Sequence, residues 1–271
     1  HEEARRTAEE QVSAVADLKV GQLEQWYGEN LAIAGHIRSS GLAAMAAREY
    51  LAAPDSAAAT QNLRHCLQSL LDAYRFERLV LLDTNQEVQL GMPEVETWAG
   101  PIAKRRAAEA LASRQVVVSD LHRSPVSGRI NIDLLVPLLT VDGEPTAVLM
   151  VEMLPGRFLE PFIRSWPTPS RTAETLLVRQ EGNEVLYLTE LRHRTNTALN
   201  LRLPLAAAET PAAQALRGQT GIVHALDYRG VPVLAATRRV SNTPWGLVAK
   251  VDQAEIDGPE REQAWTVGLA V

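Results

Sequence analysis

The sequence predicts an α+β fold in which a long N-terminal helix precedes two tandem domains, each built on an antiparallel sheet. Three observations support this prediction. Residues 2–53 contain no proline and are rich in Ala, Glu, Gln and Arg, which favour helices. From Arg78 the apolar pattern changes to that of strands joined by short polar turns, which indicates antiparallel pairing. From Thr175 the same order of elements is repeated, so the chain holds two copies of one unit.

The N-terminal segment carries a broad apolar face, because apolar residues recur along it at helical spacing. We expect this apolar face to pack against other parts of the protein. Gly41 is the expected break in this helix, and Pro54 ends the segment. A second amphipathic helix follows, for which Ser56 or Asp55 is the expected N-cap.

The first domain opens with a predicted hairpin, in which the strand Leu79–Leu82 turns at Asp83 and returns over Glu87–Met92. A helix is predicted over Ile102–Ser113. Three further strands are predicted after it, over Gln115–Asp120, Gly128–Leu139 and Pro145–Met153, with turns at Ser124–Pro125 and Asp142–Gly143.

The second domain repeats this order, and its segment Leu176-Leu177-Val178 corresponds to Val80-Leu81-Leu82 of the first. Its last strand leads into a helix, as the last strand of the first domain does. The predicted elements are strands over Thr175–Arg179 and Glu184–Leu188, a helix over Pro211–Leu216, and strands over Gly221–Asp227, Val231–Arg238 and Trp245–Val251.

Two prolines near residue 167 stop the helix that precedes them and indicate a linker between the domains. We therefore expect four regions: an N-terminal helical region over residues 1–77, a first sheet domain over 78–166, a second over 167–253, and a C-terminal helix over 254–271.

Composition excludes several classes of function. The net charge is −6 and the pI is about 5.6, so no basic surface for nucleic acid is expected. Cys66 is the only cysteine, which excludes an internal disulfide and any thiolate-rich metal site. The histidines are scattered, and the sequence has no Gly-rich phosphate loop, His-Glu-x-x-His pair or Gly-x-Ser-x-Gly elbow. We therefore predict no catalytic residues, no metal and no cofactor.

One polar cluster in the first domain is a candidate ligand site. Strand alternation places Asn131 and Asp133 on one face, and a charge among apolar strands is costly unless it is paired or solvated. A polar cavity would account for both residues. An exposed sheet face, or an ion pair between Asp133 and Arg123, would account for them as well. The predicted ligand-binding residues are Trp98, Asp120, His122, Arg123, Asn131 and Asp133.

Both ends of the sequence suggest a piece of a longer chain. The N-terminus has neither an initiator Met nor the plan of a signal peptide. The other end stops within the apolar run Trp265–Val271, which is typical of a membrane helix beginning at the interface. A short amphipathic helix docked on the domain is the alternative.

The order of these motifs resembles that of the double Cache domains, the extracytoplasmic ligand-sensing parts of bacterial histidine kinases, chemoreceptors and diguanylate cyclases. In the second domain the resemblance lies in Glu174–Arg179, Asp227–Ala236 and Trp245–Val248. In the first domain it lies in Leu79–Asp83 and Leu135–Leu138.

The resemblance implies a non-enzymatic sensor on the periplasmic or extracellular side of the inner membrane, with residues 78–166 membrane-distal and 167–253 membrane-proximal. The distal domain would bind a small polar ligand, and the parent receptor, expected to be a sensor histidine kinase, would be a homodimer anchored by segments outside this sequence. Trp98 and Asp120 fall at ligand positions of the amino-acid-sensing branch, whereas Glu96 and Val118 replace its Arg and Tyr. The identity of the ligand is thereby left open.

Two other functions compete with this interpretation. One is a dimerisation or protein-partner module without a small ligand. The other is a hydrolase that uses Asp120, Asp133 and His122, although no activated nucleophile is evident in the sequence.

Overall fold

A computed structural model describes residues 2–74, 76–93, 99–124, 127–206 and 209–258. The chain forms two compact units. The first-sheet unit comprises Tyr27–Arg157, and the second-sheet unit comprises the chain up to Trp26 together with the chain from Phe158 onward. Each unit contains an antiparallel sheet, and the predicted α+β fold with a long N-terminal helix is confirmed. The predicted limits of the four regions stay a prediction.

The helices in the N-terminal half follow the predicted pattern. Gly41 adopts a left-handed backbone with a φ of 72°, which glycine takes up without the steric cost that a Cβ imposes, and the first helix ends there. The Ser56 hydroxyl accepts a hydrogen bond from the Ala59 N–H at 3.3 Å, so Ser56 rather than Asp55 caps the third helix. These helices are α1 (Glu2–Ser40), which contributes to both units, α2 (Leu42–Ala52), α3 (Ala57–Tyr74) and α4 (Pro101–Ser113).

The first-sheet unit has the strand order β2-β1-β6-β5-β3, with β4 also paired to β5. The first and last strands of the sheet in sequence, β1 and β6, are therefore neighbours in its middle. The strands are β1 (Arg78–Leu82), β2 (Val88–Met92), β3 (Val117–Val118), β4 (His122–Arg123), β5 (Ile130–Leu139) and β6 (Pro145–Met153).

The second-sheet unit has the order β10-β11-β12-β7-β8-β9, which repeats the central arrangement of the first. Residues 253–258 are helical after its last strand. Its helices are α5 (Leu159–Arg164) and α6 (Pro211–Leu216), and its strands are β7 (Glu174–Glu181), β8 (Glu184–Tyr187), β9 (Arg202–Pro204), β10 (Gly221–Leu226), β11 (Pro232–Arg239) and β12 (Trp245–Asp252).

Some predicted elements differ from those observed. The strand predicted over Gln115–Asp120 is reduced to β3, because Asp120 has a left-handed backbone with a φ of 36° and ends the extended segment. The short strands β4 and β9 were not predicted, since polar segments of two and three residues show no alternation. Pro125 and Trp265–Val271 lie outside the described residues.

Helix α4 packs on one face of the first sheet through small side chains. Ala103, Ala107 and Ala110 recur every three or four residues along the helix and are buried, which lets the helix approach the strands closely. The facing strand residues include Val80 of β1 and Met150 of β6. Because side chains alternate along a strand, this face also carries residues 78, 133 and 152.

Candidate ligand-binding cavity

A cavity of about 210 Å³ lies in the first-sheet unit where α4 begins. The beginning of α4 contributes one part of its lining, and strands β1, β4, β5 and β6 contribute most of the rest. Its polar lining residues are Arg78, His122, Arg123, Ser124, Asn131, Asp133 and Glu152, and its other lining residues are Gly100, Pro101, Ile102, Ala103 and Met150.

Three adjacent strands place charged residues in one row at the cavity. Arg78 of β1 stands opposite Glu152 of β6, and Glu152 stands opposite Asp133 of β5. The Arg78 guanidinium donates to Oε2 of Glu152 from Nε at 3.0 Å and from Nη2 at 2.5 Å. Arg78 is thus paired with Glu152, and Asp133 lies on the other side of Glu152 in the row.

Asp133 is almost fully buried, with 3% of its surface exposed. Its Oδ2 lies 3.3 Å from Nε2 of His122, which forms an ion pair with it only when the imidazole is protonated. Burial raises the pKa of Asp133 to about 6, and the negative charge of Glu152 acts in the same direction, while His122 and Arg78 act against it. The site thus holds a carboxylate that is costly to ionise.

Two acceptor atoms at the cavity lack hydrogen-bond partners. Among the described residues, Oδ1 of Asp133 and Oδ1 of Asn131 are both buried without a donor. An unsatisfied buried acceptor costs about 1–3 kcal/mol. A ligand that brings N–H groups into the cavity would remove this cost, as would ordered water.

The first turn of α4 supplies hydrogen-bond donors to the cavity. Gly100 occupies the N-cap position and has no side chain that could accept from the helix, and Pro101 follows it. The backbone N–H groups of Ile102 and Ala103 have no acceptor within the helix, because they belong to its first turn. The cavity therefore combines unpartnered acceptors on the sheet with the N–H groups at the start of a helix.

The structure brings four of the six predicted residues together at the cavity, namely His122, Arg123, Asn131 and Asp133. Asp120 does not line the cavity, and its Oδ1 accepts the backbone N–H of Leu121 at 2.6 Å. Trp98 lies outside the described residues.

Both alternative explanations of the polar strand face are wrong. Asn131 and Asp133 are 2% and 3% exposed, so the face is not open to solvent. Arg123 does not form an ion pair with Asp133 in the described structure; its Nη1 donates to the carbonyl of Gly128 at 2.8 Å.

The sequence analysis missed Arg78, Glu152 and the start of α4. The first two follow the alternation of their strands, and both share a face with buried apolar residues. The alternation of these two strands could be recognised in the sequence. The closeness of Arg78 and Glu152 to Asp133 could not be recognised there, because it depends on β6 lying between β1 and β5.

The second-sheet unit has a buried ion pair at the equivalent position, with the charges exchanged. Glu174 of β7 stands opposite Lys250 of β12, and Nζ of Lys250 lies 2.9 Å from Oε2 of Glu174. The Tyr228 hydroxyl donates to the same oxygen at 3.1 Å. On the other side of Lys250 stands Ala235 of β11, where the first unit has Asp133. Nζ of Lys250 also lies 2.9 Å from Oδ2 of Asp227, so the buried cation of the second unit is paired with two acids.

Within the described residues, no group of three or more His, Cys, Asp or Glu side chains is placed to hold a metal ion. Over the same part of the chain, no helix combines the length and the apolar composition that a bilayer span requires.

No protein-family model and no curated protein match the sequence. Solved structures do match. The periplasmic sensory domain of the Campylobacter jejuni chemoreceptor Tlp1 has a TM-score of 0.68 at 13% identity, covering 94% of this chain and 99% of that one. The ligand-binding domain of the Pseudomonas aeruginosa amino acid chemoreceptor PctC in complex with GABA has a TM-score of 0.61 at 17% identity, covering 90% of this chain and 100% of that one.

A third match is the ligand-binding domain of the Campylobacter jejuni chemoreceptor Tlp3 in complex with L-norvaline. Its TM-score is 0.63 at 14% identity, and the alignment covers 94% of each chain. At such identities the likeness establishes the fold and does not by itself identify a ligand.

Proposed function

We propose, from the double Cache fold that this chain shares with extracytoplasmic sensor domains, that it senses a small polar ligand for a membrane-bound bacterial receptor. The ligand would bind in the first-sheet unit and carry a cationic amine. The observation that supports this proposal best is the pair of buried acceptors without partners at the cavity, on Asn131 and Asp133.

The charges around the cavity favour an amine. Arg78 forms its ion pair with Glu152, and the ion-pair partner of Asp133 is His122, which is charged only when it is protonated. An ammonium group carries three N–H donors and one positive charge. It could satisfy Oδ1 of Asp133 and Oδ1 of Asn131 together and place a positive charge beside the buried carboxylate.

The size of the cavity favours a small molecule. Its volume is about 210 Å³, below the range of about 300–1,000 Å³ that is usual for pockets of drug-sized ligands. Ligands named for domains of this fold fit the same description: L-serine for CtaA of Pseudomonas fluorescens and GABA for PctC.

Binding would act by population shift. A ligand that prefers one packing of strands and helices over another moves a pre-existing equilibrium by its difference in affinity for the two states. We propose that residues 78–166 form the membrane-distal domain and 167–253 the proximal one, in a periplasmic part of a homodimeric receptor. The output domain we propose is a histidine kinase, and the structures compared above come from chemoreceptors.

The proposal is tested by isothermal titration with amines, amino acids and dicarboxylates, before and after Asp133→Asn. Loss of one charge-assisted hydrogen bond, about 1.5–3 kcal/mol, lowers affinity roughly ten- to a hundredfold. Asp142→Asn is the matched control, because Asp142 is an exposed acid in the turn between β5 and β6.

Unchanged affinity in a folded Asp133→Asn protein would contradict the proposed site. Tight binding of dicarboxylates with no binding of amines would contradict the proposed ligand class. Light scattering of the membrane-reconstituted parent receptor tests the homodimer, and strictly monomeric particles at all concentrations would exclude it.

A further inference from the structure

We infer that the second-sheet unit holds a ligand site of its own, which binds a small carboxylate. The site is a cavity of about 410 Å³, a volume within the range of about 300–1,000 Å³ that is usual for small-molecule pockets. Its lining residues all belong to the second-sheet unit, and none of them lines the cavity of the first-sheet unit. The inference therefore goes beyond the proposed function and does not depend on it. The lining includes Arg164, Trp166, Glu174, Thr175, Glu190 and Arg192.

One buried hydroxyl at this cavity lacks a hydrogen-bond partner. Thr175 is 2% exposed, and among the described residues its Oγ1 has neither a donor nor an acceptor. Thr175 stands opposite Ala249, one residue after the ion-paired residue of its strand. At the equivalent place in the first sheet, Leu79 stands opposite Val151, and both are buried. The fold thus accepts an apolar side chain at this position, and a ligand in the cavity would supply the partner that the hydroxyl lacks.

The two acids that line the cavity already have partners. Glu190 accepts backbone N–H groups from three consecutive residues, 196 to 198. Oε2 of Glu174 lies 2.9 Å from Nζ of Lys250, and Oε1 of Glu174 accepts the backbone N–H of Arg192 at 2.6 Å. A cationic ligand would have to compete with these partners.

The two arginines that line the cavity have N–H groups to spare. The side chain of Arg164, in the last turn of α5, forms no hydrogen bond or ion pair with the described residues. Arg192 donates from Nη1 to the Ala173 carbonyl at 2.6 Å and from Nη2 to the Ser170 carbonyl at 3.0 Å. These two bonds hold the guanidinium in place and use two of its five N–H groups.

The unused hydrogen-bonding capacity of this cavity is therefore mostly that of donors, together with one hydroxyl that can donate. A carboxylate accepts hydrogen bonds, carries a negative charge and matches the planar fork of a guanidinium. Trp166 is half-buried and adds an apolar surface to the same lining. An apolar surface beside the donors favours an organic carboxylate over an inorganic anion.

Isothermal titration of the wild-type protein tests the inference with acetate, L-lactate and benzoate, each compared with its neutral amide. The two members of a pair have nearly the same shape and differ in charge. We expect at least one carboxylate to bind roughly tenfold or more tighter than its amide, because only the carboxylate forms charge-assisted hydrogen bonds with the arginines.

Two substitutions test the position of the carboxylate. Arg164→Gln removes a charge without a partner in the described structure, so the protein should fold normally and bind the carboxylate roughly tenfold more weakly. Thr175→Val removes the unpartnered hydroxyl, so the Tm should stay the same or rise while the affinity falls roughly two- to tenfold. Arg171→Gln is the matched control for Arg164→Gln, because Arg171 is an exposed arginine outside the lining of the cavity.

Three results would overturn the inference. In the first, no carboxylate binds, or each binds no better than its amide. In the second, sulfate binds as tightly as the carboxylates, or Arg171→Gln weakens binding as much as Arg164→Gln, which would show only a general attraction of anions to surface arginines. In the third, a carboxylate binds and neither Arg164→Gln nor Thr175→Val changes its affinity, which would place the carboxylate elsewhere in the protein.

Discussion

Replacing Asp133 by Asn is expected to stabilise the unliganded protein, although it removes the proposed contact with the ligand. Asn has nearly the shape of Asp and cannot ionise. The change therefore removes a buried charge at a position where Arg78 is already committed to Glu152. The repulsion between the carboxylates of Asp133 and Glu152, which stand opposite each other on β5 and β6, disappears too.

The magnitude follows from the pKa of Asp133, which rises from an ordinary 3.8 to about 6 in the folded protein. Each pKa unit corresponds to about 1.4 kcal/mol, so ionised Asp133 lowers the free energy of unfolding by something on the order of 3 kcal/mol. Above pH 6 the residue is ionised in both states, and the full cost applies. As the pH falls from 6 towards 3.8 the folded state holds the proton first, so the cost decreases.

Urea denaturation of both proteins at pH 7.5 and pH 4.5 measures this difference, and amide hydrogen exchange in β5 and β6 shows that the first-sheet unit is the part affected. Asp133→Asn should be the more stable protein at pH 7.5, with a smaller advantage at pH 4.5. Asp142→Asn should change stability by less than about 0.5 kcal/mol. An Asp133→Asn protein less stable than the wild type by the same amount at both pH values would refute the reasoning.

Three further changes test the packing in each unit. Arg78→Met leaves the Glu152 carboxylate buried without its partner, and urea denaturation should show a loss of about 3–5 kcal/mol that adding Glu152→Met largely reverses; no reversal would contradict this. Burial lowers the pKa of Lys19 to about 8, so the folded protein holds a charged, buried lysine at pH 7. Lys19→Met removes this charge and should raise the free energy of unfolding at pH 7. The gain should be smaller at pH 9.5, because Lys19 of the folded wild type has then lost its proton. Gly246→Ala would put a Cβ 3.1 Å from a side chain of α6, and thermal unfolding should show a loss of about 1–3 kcal/mol, whereas Gly35→Ala, with nothing within 4 Å, should be neutral or stabilising.

The sequence predicts the secondary structure more completely than it predicts the residues of the ligand cavity. Strand β6 was predicted with its observed limits, because a turn at Asp142–Gly143 precedes a clear apolar run. Alternation was enough to place Asn131 and Asp133 on one face. Asp120 was assigned to the site as the end of a neighbouring strand, but its left-handed backbone takes it out of strand geometry.

The remaining site residues depend on long-range order. Arg78 lines the same cavity as Asp133 only because β6 pairs with both β1 and β5, an arrangement that no local window of the sequence reveals. The start of α4 was predicted as a helix terminus, yet nothing in its sequence indicates that it adjoins the sheet face with the two acceptors. Tertiary contacts therefore decide which residues form the cavity.

The exchange of charges between the two sheets has a consequence for folding. Two similar units in one chain can mispair, because a strand of one copy fits the sheet of the other. If β1 paired with β12 in the native register, Arg78 would face Lys250, and if β7 paired with β6, Glu174 would face Glu152. Each mistake would bury two like charges, whereas each correct pairing buries opposite ones. The exchanged ion pairs therefore favour the native strand pairings over these two mispairings.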